Sequence, residues 1–171
     1  MIKIIGAKGK IKDIDDFLEK ISSFSKKNSL IIQAFDADLV FGKNHILSAV
    51  EHAERAISRK TNTTNSLEKE ILLYAAGERQ LKIAIPKIGI KKKDNANIAI
   101  VLIEKTKKTI SNNIINDLLK SLCLTRNDKV LEGDKNTLKR FGIKENELRT
   151  VMKTKYADLI LEKVAMVDII K

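Results

Sequence analysis

The two histidines are the first residues to consider for chemistry, because imidazole is a common metal ligand and general base. His45 and His52 lie seven residues apart in a predicted helix. They therefore share one face but stand about 10.5 Å apart along the helix axis. That distance is too long for one metal ion, and no cysteine or further histidine is near in the sequence. The spacing favours two histidines at the helix surface or half-buried beside it, and it predicts no metal site.

Three other groups have simple structural interpretations. Gly42-Lys43-Asn44 is similar to the end of a phosphate-binding loop, but Ala37 stands where the loop needs glycine, and Asn44 where it needs serine or threonine. Asp36 and Asp38 could form an acid pair, yet aspartates in this setting also form turns. Cys123 follows an apolar helix and is expected to be a small core residue. We find no catalytic constellation or cofactor site, and we predict that the chain is not an enzyme.

The strongest functional signal is a basic segment from Gly77 to Lys93. It contains six lysine or arginine residues and one acid, so it carries +5 of the chain's net charge of +11. Arg79 and Gln80 follow a predicted helix end, where arginine can bind phosphate and glutamine can bond base edges. The segment predicts a surface for an anionic partner. The alternative is a solvated lysine run with no binding role.

The second signal is an apolar surplus near the C-terminus. A helix is predicted over 146–171, with the domain as a whole spanning 1–171. Near its end, apolar residues lie on more sides of this helix than one packing face requires. If they are exposed, a partner is expected to cover them. Ordinary packing on the domain is the alternative.

Apolar periodicity predicts the elements that position these segments. Strands are expected at 2–7, 29–35 and 97–103, with a brief one at 129–131, and 97–103 is expected to be central and covered on both faces. Helices are expected after Asp13, over 43–57, from about 66 to Gly77, over 79–88 with a bend or unwound last turn at Pro86, over 110–122, and near 138–141. Leu18, Ile57 and Ile85 are assigned to buried faces. The fold class is α+β: a small, mainly antiparallel or mixed sheet packed by several helices, with a long C-terminal helix.

Composition limits the cellular setting. A single cysteine excludes an internal disulfide framework and fits a reducing compartment. No run approaches the roughly 20 apolar residues that a membrane span needs, and the first residues lack the pattern of a signal peptide. The expected location is the cytoplasm, with no membrane partner.

The order of several short motifs resembles a known family. The motifs are Asp38; Gly42-Lys43-x-His45-x-Leu47-x-Ala49-Val50; Glu70-Ile71-Leu72-x-x-Ala75-x-Gly77-x-Arg79-Gln80-Leu81-x-x-Ala84; Ile88-Gly89-Ile90; and a strand ending Leu102-Ile103-Glu104. This order is similar to that of the kinase-binding subunit of the KEOPS complex, called TPRKB in animals. The resemblance covers nearly the whole chain, which looks like an archaeal member. The long polar loop from Ser58 and the presence of Pro86 depart from the family pattern.

The resemblance implies a non-enzymatic regulator. Members bind and stimulate the atypical kinase of KEOPS, an ATPase, and are implicated in holding transfer RNA, including its CCA end, for threonylcarbamoyl modification of the adenosine beside the anticodon. The expected RNA-binding residues are Lys43, His45, Tyr74, Arg79, Gln80, Lys82, Lys87 and Lys91. The expected kinase-binding residues are Leu159, Lys163, Met166, Val167 and Ile170.

Two other functions remain open at this stage. The chain could be a stand-alone RNA-binding module, which predicts RNA affinity without the kinase and a steep salt dependence. It could also be an enzyme whose site is not recognisable from the sequence. Self-association through the C-terminal apolar residues is a further possibility when the partner is absent.

Overall fold

The computed structural model describes residues 1–105 and 109–170, which form an α+β fold built on a four-stranded antiparallel sheet. The strands are β1 (Ile2–Ile11), β2 (Leu30–Asp36), β3 (Lys93–Glu104) and β4 (Leu124–Arg126), in the spatial order β2-β3-β1-β4. The predicted central strand is confirmed, because β3 pairs with both β1 and β2, and every residue from Ile98 to Ile103 is buried.

Helices cover both faces of the sheet. They are α1 (Ile14–Asn28), α2 (Gly42–Ser58), α3 (Leu67–Ala76), α4 (Leu81–Ile88), α5 (Asn112–Ser121), α6 (Lys135–Phe141), α7 (Glu145–Arg149) and α8 (Tyr156–Met166). Alternate residues of β3 face opposite cores, as the twofold period of a strand requires. Ile98, Ile100 and Leu102 pack with α1 and α5, whereas Ala99, Val101 and Ile103 pack in the core that the other helices share.

Several helix ends lie where the sequence predicts them. Asp13 caps α1 by accepting a hydrogen bond from the Asp16 N–H, and Ser66 caps α3 by accepting one from the Lys69 N–H. Gly77 ends α3 with a φ of 66°, a left-handed conformation that glycine adopts without steric cost. These local signals confirm the predicted start of α1 and the predicted start and end of α3.

Three residues assigned to buried faces are exposed. Leu18, Ile57 and Ile85 lie at the margins of their helices' buried stripes, so the predictions for them are wrong. Cys123 is also exposed, in a left-handed conformation directly after α5, and is not a core residue.

The strand predicted at 129–131 is wrong. Asp128–Leu131 is a 3₁₀ turn, and the fourth strand is β4, just before it. The side chain of Asn127 accepts a hydrogen bond from the Lys129 N–H, which stabilises the turn in place of an extended conformation.

Pro86 does not end its helix. α4 continues to Ile88, and the Gly89 N–H donates to the Ile85 carbonyl over 2.9 Å. Ala84 and Ile88 are both buried. We attribute the intact last turn to this burial, which offsets the one backbone bond that proline cannot make. The predicted unwinding is wrong, whereas the predicted stop at Gly89 is confirmed.

The helix predicted over 146–171 is divided. It consists of α7, a 3₁₀ turn at Lys153–Lys155, and α8. The Thr150 hydroxyl donates to the Glu147 carbonyl over 2.7 Å, which satisfies that acceptor within the turn that ends α7. The last helix is therefore much shorter than predicted, and it packs mainly on α2 and α3.

Candidate interaction surfaces

The chain after α8 continues as one helical turn that presents three apolar side chains. The N–H groups of Ile169 and Ile170 donate to the Met166 carbonyl over 2.9 and 3.1 Å. Met166, Ile169 and Ile170 are spaced i, i+3, i+4 and share one face, which we call the C-terminal face. Their exposed fractions are 38%, 72% and 54%. An apolar surplus therefore reaches the surface here.

Two residues expected on that face are buried by the chain itself. Leu159 and Val167 belong to the core beneath α8, so they are unavailable to a partner that binds the folded protein. The sequence pattern could not separate them from Met166 and Ile170, because all four are apolar and close together. The missed residue is Ile169, the most exposed of the three.

Lys163 lies at the start of the last turn of α8. Its Nζ is 2.9 Å from Glu147 Oε1 on α7. This hydrogen bond, with a second one from the Lys144 N–H, lowers the pKa of the Glu147 carboxyl. Gly77 approaches Lys163 so closely that a Cβ there would lie 3.4 Å from the Lys163 carbonyl oxygen. Lys163 is thus tied to its own domain while remaining at the surface.

A polar group surrounds the residues that follow Met166. The Tyr74 hydroxyl donates to Asp168 Oδ1 over 2.5 Å, and His52 Nδ1 lies 2.7 Å from Asp168 Oδ2. Arg79 donates to the Val167 carbonyl and to the Thr63 hydroxyl, each over 3.1 Å. Burial, and then Asp168, raise the pKa of the Tyr74 hydroxyl.

Tyr74 and Arg79 therefore do not act as the sequence suggested. Tyr74 is fully buried, so its ring is not accessible for the RNA contact that the sequence predicted. Arg79 turns its fork toward the end of α8 rather than outward. The residue pattern of α3 could not have revealed the contact between Tyr74 and Asp168, because the two residues are 94 positions apart in the chain.

His45 is also a structural residue. It is 1% exposed, accepts a hydrogen bond from the Phe41 N–H at Nδ1, and donates from Nε2 to the Ala75 carbonyl over 2.9 Å. Acceptance at Nδ1 requires a neutral ring, because both nitrogens of a protonated imidazole are donors. Burial lowers the pKa of His45 to about 4. The ring is therefore not accessible for the predicted RNA contact, and it is more deeply buried than the surface or half-buried position predicted for it. Lys43, two residues earlier, is exposed, with its Nζ 4.0 Å from Asp128.

Tertiary contacts partly neutralise the basic segment. Lys87 pairs with Glu78 over 3.0 Å and lies 4.3 Å from the centre of the Phe141 ring. Lys91 pairs with Asp36 over 3.2 Å. Lys93 pairs with the same carboxylate and with Asp38. Glu78 is already counted in the +5 of this segment, but Asp36 and Asp38 lie outside it, so the +5 overestimates the local surface charge.

Asp36 and Asp38 act as turn residues that also balance charge. Asp36 caps a 3₁₀ turn at Ala37–Leu39 by accepting a hydrogen bond from the Asp38 N–H. Burial opposes ionisation of Asp38, but hydrogen bonds from Asn97 and Lys93 outweigh it and lower the pKa of this carboxyl. This confirms the turn interpretation over an acid pair.

The outward side of α4 remains as a mixed apolar and cationic surface. Gln80 and Lys82 are exposed, and Ile83 and Ile85 beside them expose 45% and 52% of their surface. We call these four residues the α4 face. The apolar spacing of Ala84 and Ile88, four residues apart, is a sequence signal that could have revealed this face. If those two residues form the buried line of the helix, Ile83 and Ile85 lie on either side of it.

The structure thus divides the expected RNA-binding residues. Lys87 and Lys91 lie together, since Lys91 Nζ donates to the Lys87 carbonyl over 3.0 Å. Gln80 and Lys82 belong to the α4 face, whereas Arg79 and Tyr74 contact the end of α8. Lys43 stands at the start of α2.

Residues 1–105 and 109–170 contain no group of three or more histidine, cysteine or acidic side chains placed to hold a metal ion. In the same residues, no helix has the length and apolar character needed to cross a membrane.

Comparison with known proteins agrees with the motif order. The family described as kinase binding protein CGI-121 matches residues 10–168, from the end of β1 to the turn after α8. A comparison with curated proteins finds no match. The match includes nearly every element of the fold, the whole α4 face and, of the C-terminal face, Met166; Ile169 and Ile170 lie beyond it. It confirms the resemblance to a kinase-binding regulatory subunit, and the chain belongs to the CGI-121 family of kinase-binding proteins.

Proposed function

We propose that this chain is the non-catalytic KEOPS subunit that binds the atypical kinase of that complex and stimulates its ATPase activity. The family supports a kinase partner. The observation that carries the proposed contact is the C-terminal face, where three large apolar side chains point outward from a domain whose cores are already filled. Such a patch is typical of a protein interaction site.

The C-terminal face fits a helix-in-groove contact. Residues at i, i+3 and i+4 are the usual anchors of a short helix in an apolar groove. Lys163, one turn before Met166, lies at the rim, where its charge influences association more than affinity. Leu159 and Val167 support the turn from inside. Met166, Ile169 and Ile170 are thus the proposed anchors.

The test is titration of the cognate kinase subunit with this chain, following both complex formation and ATP hydrolysis. Met166→Asp and Ile170→Asp should each raise Kd about 30-fold or more, because losing a buried anchor costs about 2 kcal/mol or more. Met152→Asp is the matched control, since Met152 is 72% exposed and precedes the start of α8, whereas the C-terminal face lies at the end of that helix. It should change Kd less than about twofold.

Two results would contradict this proposal. One is the absence of complex and of stimulation with the unmodified chain. The other is an equal loss of affinity in the Met152→Asp control, which would show that the effect is not specific to the C-terminal face.

We further propose that the chain helps to hold transfer RNA, including its 3′ CCA end, for threonylcarbamoyl modification of the adenosine next to the anticodon. The α4 face supports this role. Single-stranded RNA is bound through apolar or aromatic contacts to splayed bases together with cations near the phosphates. Ile83 and Ile85 offer the apolar contact, and Lys82 and Gln80 offer the polar ones. Lys92 adds charge nearby in the sequence.

A binding assay with a short RNA ending in CCA tests this role. Lys82→Ala should weaken binding and reduce the slope of log K against log salt by about 0.7, the value expected for one lost phosphate contact with a single strand. Ile85→Asp should weaken binding at every salt concentration. Lys27→Ala is the control, because Lys27 is exposed on α1, which covers the opposite face of the sheet. Equal effects of Lys82→Ala and Lys27→Ala would refute the α4 face as the site.

The alternative, a stand-alone RNA-binding module, is separated by the same assay. It predicts that the affinity of this chain for RNA is the same in the presence and in the absence of the kinase. The KEOPS assignment predicts that the kinase complex retains full-length transfer RNA through both subunits, and therefore more tightly than this chain alone.

A further inference from the structure

We propose that His52, Tyr74 and Arg79 form a clasp that fixes the turn after α8, so that the three are positioning residues for kinase binding. This inference rests on the proposed function, because it assumes that the C-terminal face is the docking surface. It assigns a role to Tyr74 and Arg79, which the sequence analysis expected to bind RNA, and to His52, which had no assigned function.

The turn has two sides with different partners. Met166, Ile169 and Ile170 face solvent, whereas Val167 and Asp168, between them, face the domain. The Val167 side chain is buried, its carbonyl accepts from Arg79, and the Asp168 carboxylate accepts from Tyr74. Contacts on the inner side therefore determine where the outer side points.

The clasp joins parts of the fold that are distant in sequence. His52 belongs to α2, Tyr74 to α3, and Arg79 to the link between α3 and α4. The His52 and Tyr74 rings lie 5.5 Å apart with a 30° tilt, so each limits the orientation of the other. Asp168 thus contacts two side chains that already pack together.

Arg79 acts at the C-terminal end of α8. Val167 is the C-cap of this helix, and its carbonyl is one of those that no residue of the helix satisfies. A cation is favoured there by the helix dipole. The second N–H of the fork donates to Thr63, whose own backbone N–H donates to the buried carboxylate of Glu70. The guanidinium is therefore held from both sides.

A turn of this length does not hold its shape alone. Short helical segments are marginal because too few backbone bonds offset the lost chain entropy. Contacts that fix the turn before binding reduce the ordering cost of association. A weaker clasp should therefore weaken kinase binding even though Tyr74, being fully buried, cannot contact the kinase.

The test compares Tyr74→Phe with Tyr156→Phe. The first variant removes only the hydroxyl that Asp168 accepts from. The second removes the same group from a partly buried tyrosine at the other end of α8, about 15 Å away along the helix. Arg79→Ala serves as a second variant, because Arg79 is only half-buried and its truncation leaves both cores intact.

Tyr74→Phe should raise the concentration of chain that gives half-maximal stimulation of the kinase by about five- to tenfold, as for loss of one hydrogen bond of typical net strength. Stimulation at saturation should stay unchanged, because the docking residues themselves are intact. Hydrogen exchange at the amides of Ile169 and Ile170 should become faster, while exchange in β3 stays the same. Tyr156→Phe should change none of these quantities.

The outcomes separate the clasp from the proposed function. If the unmodified chain binds the kinase, but Tyr74→Phe and Arg79→Ala match it in affinity and amide exchange, the clasp is refuted and the docking surface stands. If the unmodified chain does not bind the kinase, the proposed function fails. Amide exchange at Ile169 and Ile170 in the variants then tests by itself whether the clasp fixes the turn. Faster exchange would then support a clasp on the turn, and unchanged exchange would refute it.

Discussion

The neutral, buried state of His45 predicts that folding stability falls when the pH drops below 6.5. The pKa of this ring is lowered from its ordinary value of 6.5 to about 4 by burial, which outweighs the opposing effect of its hydrogen bond to Ala75. Above pH 6.5 the ring is neutral in both the folded and the unfolded chain. Below pH 6.5 the unfolded chain takes up a proton that the folded chain excludes, and stability is lost until the folded ring also titrates, near pH 4.

The size of the effect follows from these two pKa values. Between pH 7 and pH 5, the excess protonation of the unfolded chain at His45 lowers the free energy of unfolding by about 2 kcal/mol. Solvent screens this effect only weakly, because the ring is 1% exposed.

Urea unfolding at pH 7, 6 and 5, followed by circular dichroism, measures this loss in the unmodified chain and in His45→Gln. Glutamine can still donate to the Ala75 carbonyl but does not titrate. Every other group contributes equally to both proteins, so the difference between their free energies of unfolding should shift by about 2 kcal/mol in favour of the variant at pH 5. An identical pH dependence in the two proteins would refute the argument. So would a His45 imidazole signal that titrates near pH 6.5 by NMR.

Three further predictions concern residues that contribute to folding stability. Glu70→Leu should lower the free energy of unfolding by about 3 kcal/mol in urea denaturation, because its buried carboxylate accepts hydrogen bonds from the loop before α3; a loss below about 1 kcal/mol would contradict this. Gly89→Ala should cost about 2 kcal/mol by the same measurement, since a Cβ would lie 2.5 Å from the Ile85 carbonyl oxygen, and an unchanged midpoint would contradict it. Asp128 has a lowered pKa, because hydrogen bonds from the Gly6 N–H and a nearby arginine outweigh the effect of burial. The stability that it contributes is fully present above its ordinary pKa of 3.8 and is lost as the pH falls through its lower folded value, so thermal unfolding of Asp128→Asn should depend less steeply on pH below 4. Equal slopes for the two proteins would exclude that contribution.

Local signals were sufficient for most of the secondary structure. Asp13, Ser66 and Gly77 act within one helical turn of their own positions, so their capping roles follow from residue type and spacing. The apolar run in β3 likewise predicts a strand buried on both faces. The sequence prediction missed the division of the last helix, although the bond from the Thr150 hydroxyl to the Glu147 carbonyl at the end of α7 is local.

The candidate sites were less predictable than the fold. A lysine in the basic segment looks the same in sequence whether it faces solvent or an acid, and only the fold places Asp36 against Lys91, 55 residues away. A tyrosine in an apolar helix can be a surface platform or a core residue, and Tyr74 is the latter.

The sequence by itself determined the α+β class, the central strand, most helix ends and, through the order of its motifs, the family. These features depend on periodicity and on neighbours within a few positions. Tertiary structure alone decided which apolar residues near the C-terminus reach solvent, which cations are neutralised, and that Asp168 meets Tyr74 and His52. Those outcomes depend on groups that are far apart in the chain, and their distances are established only when the sheet and its two helical layers assemble.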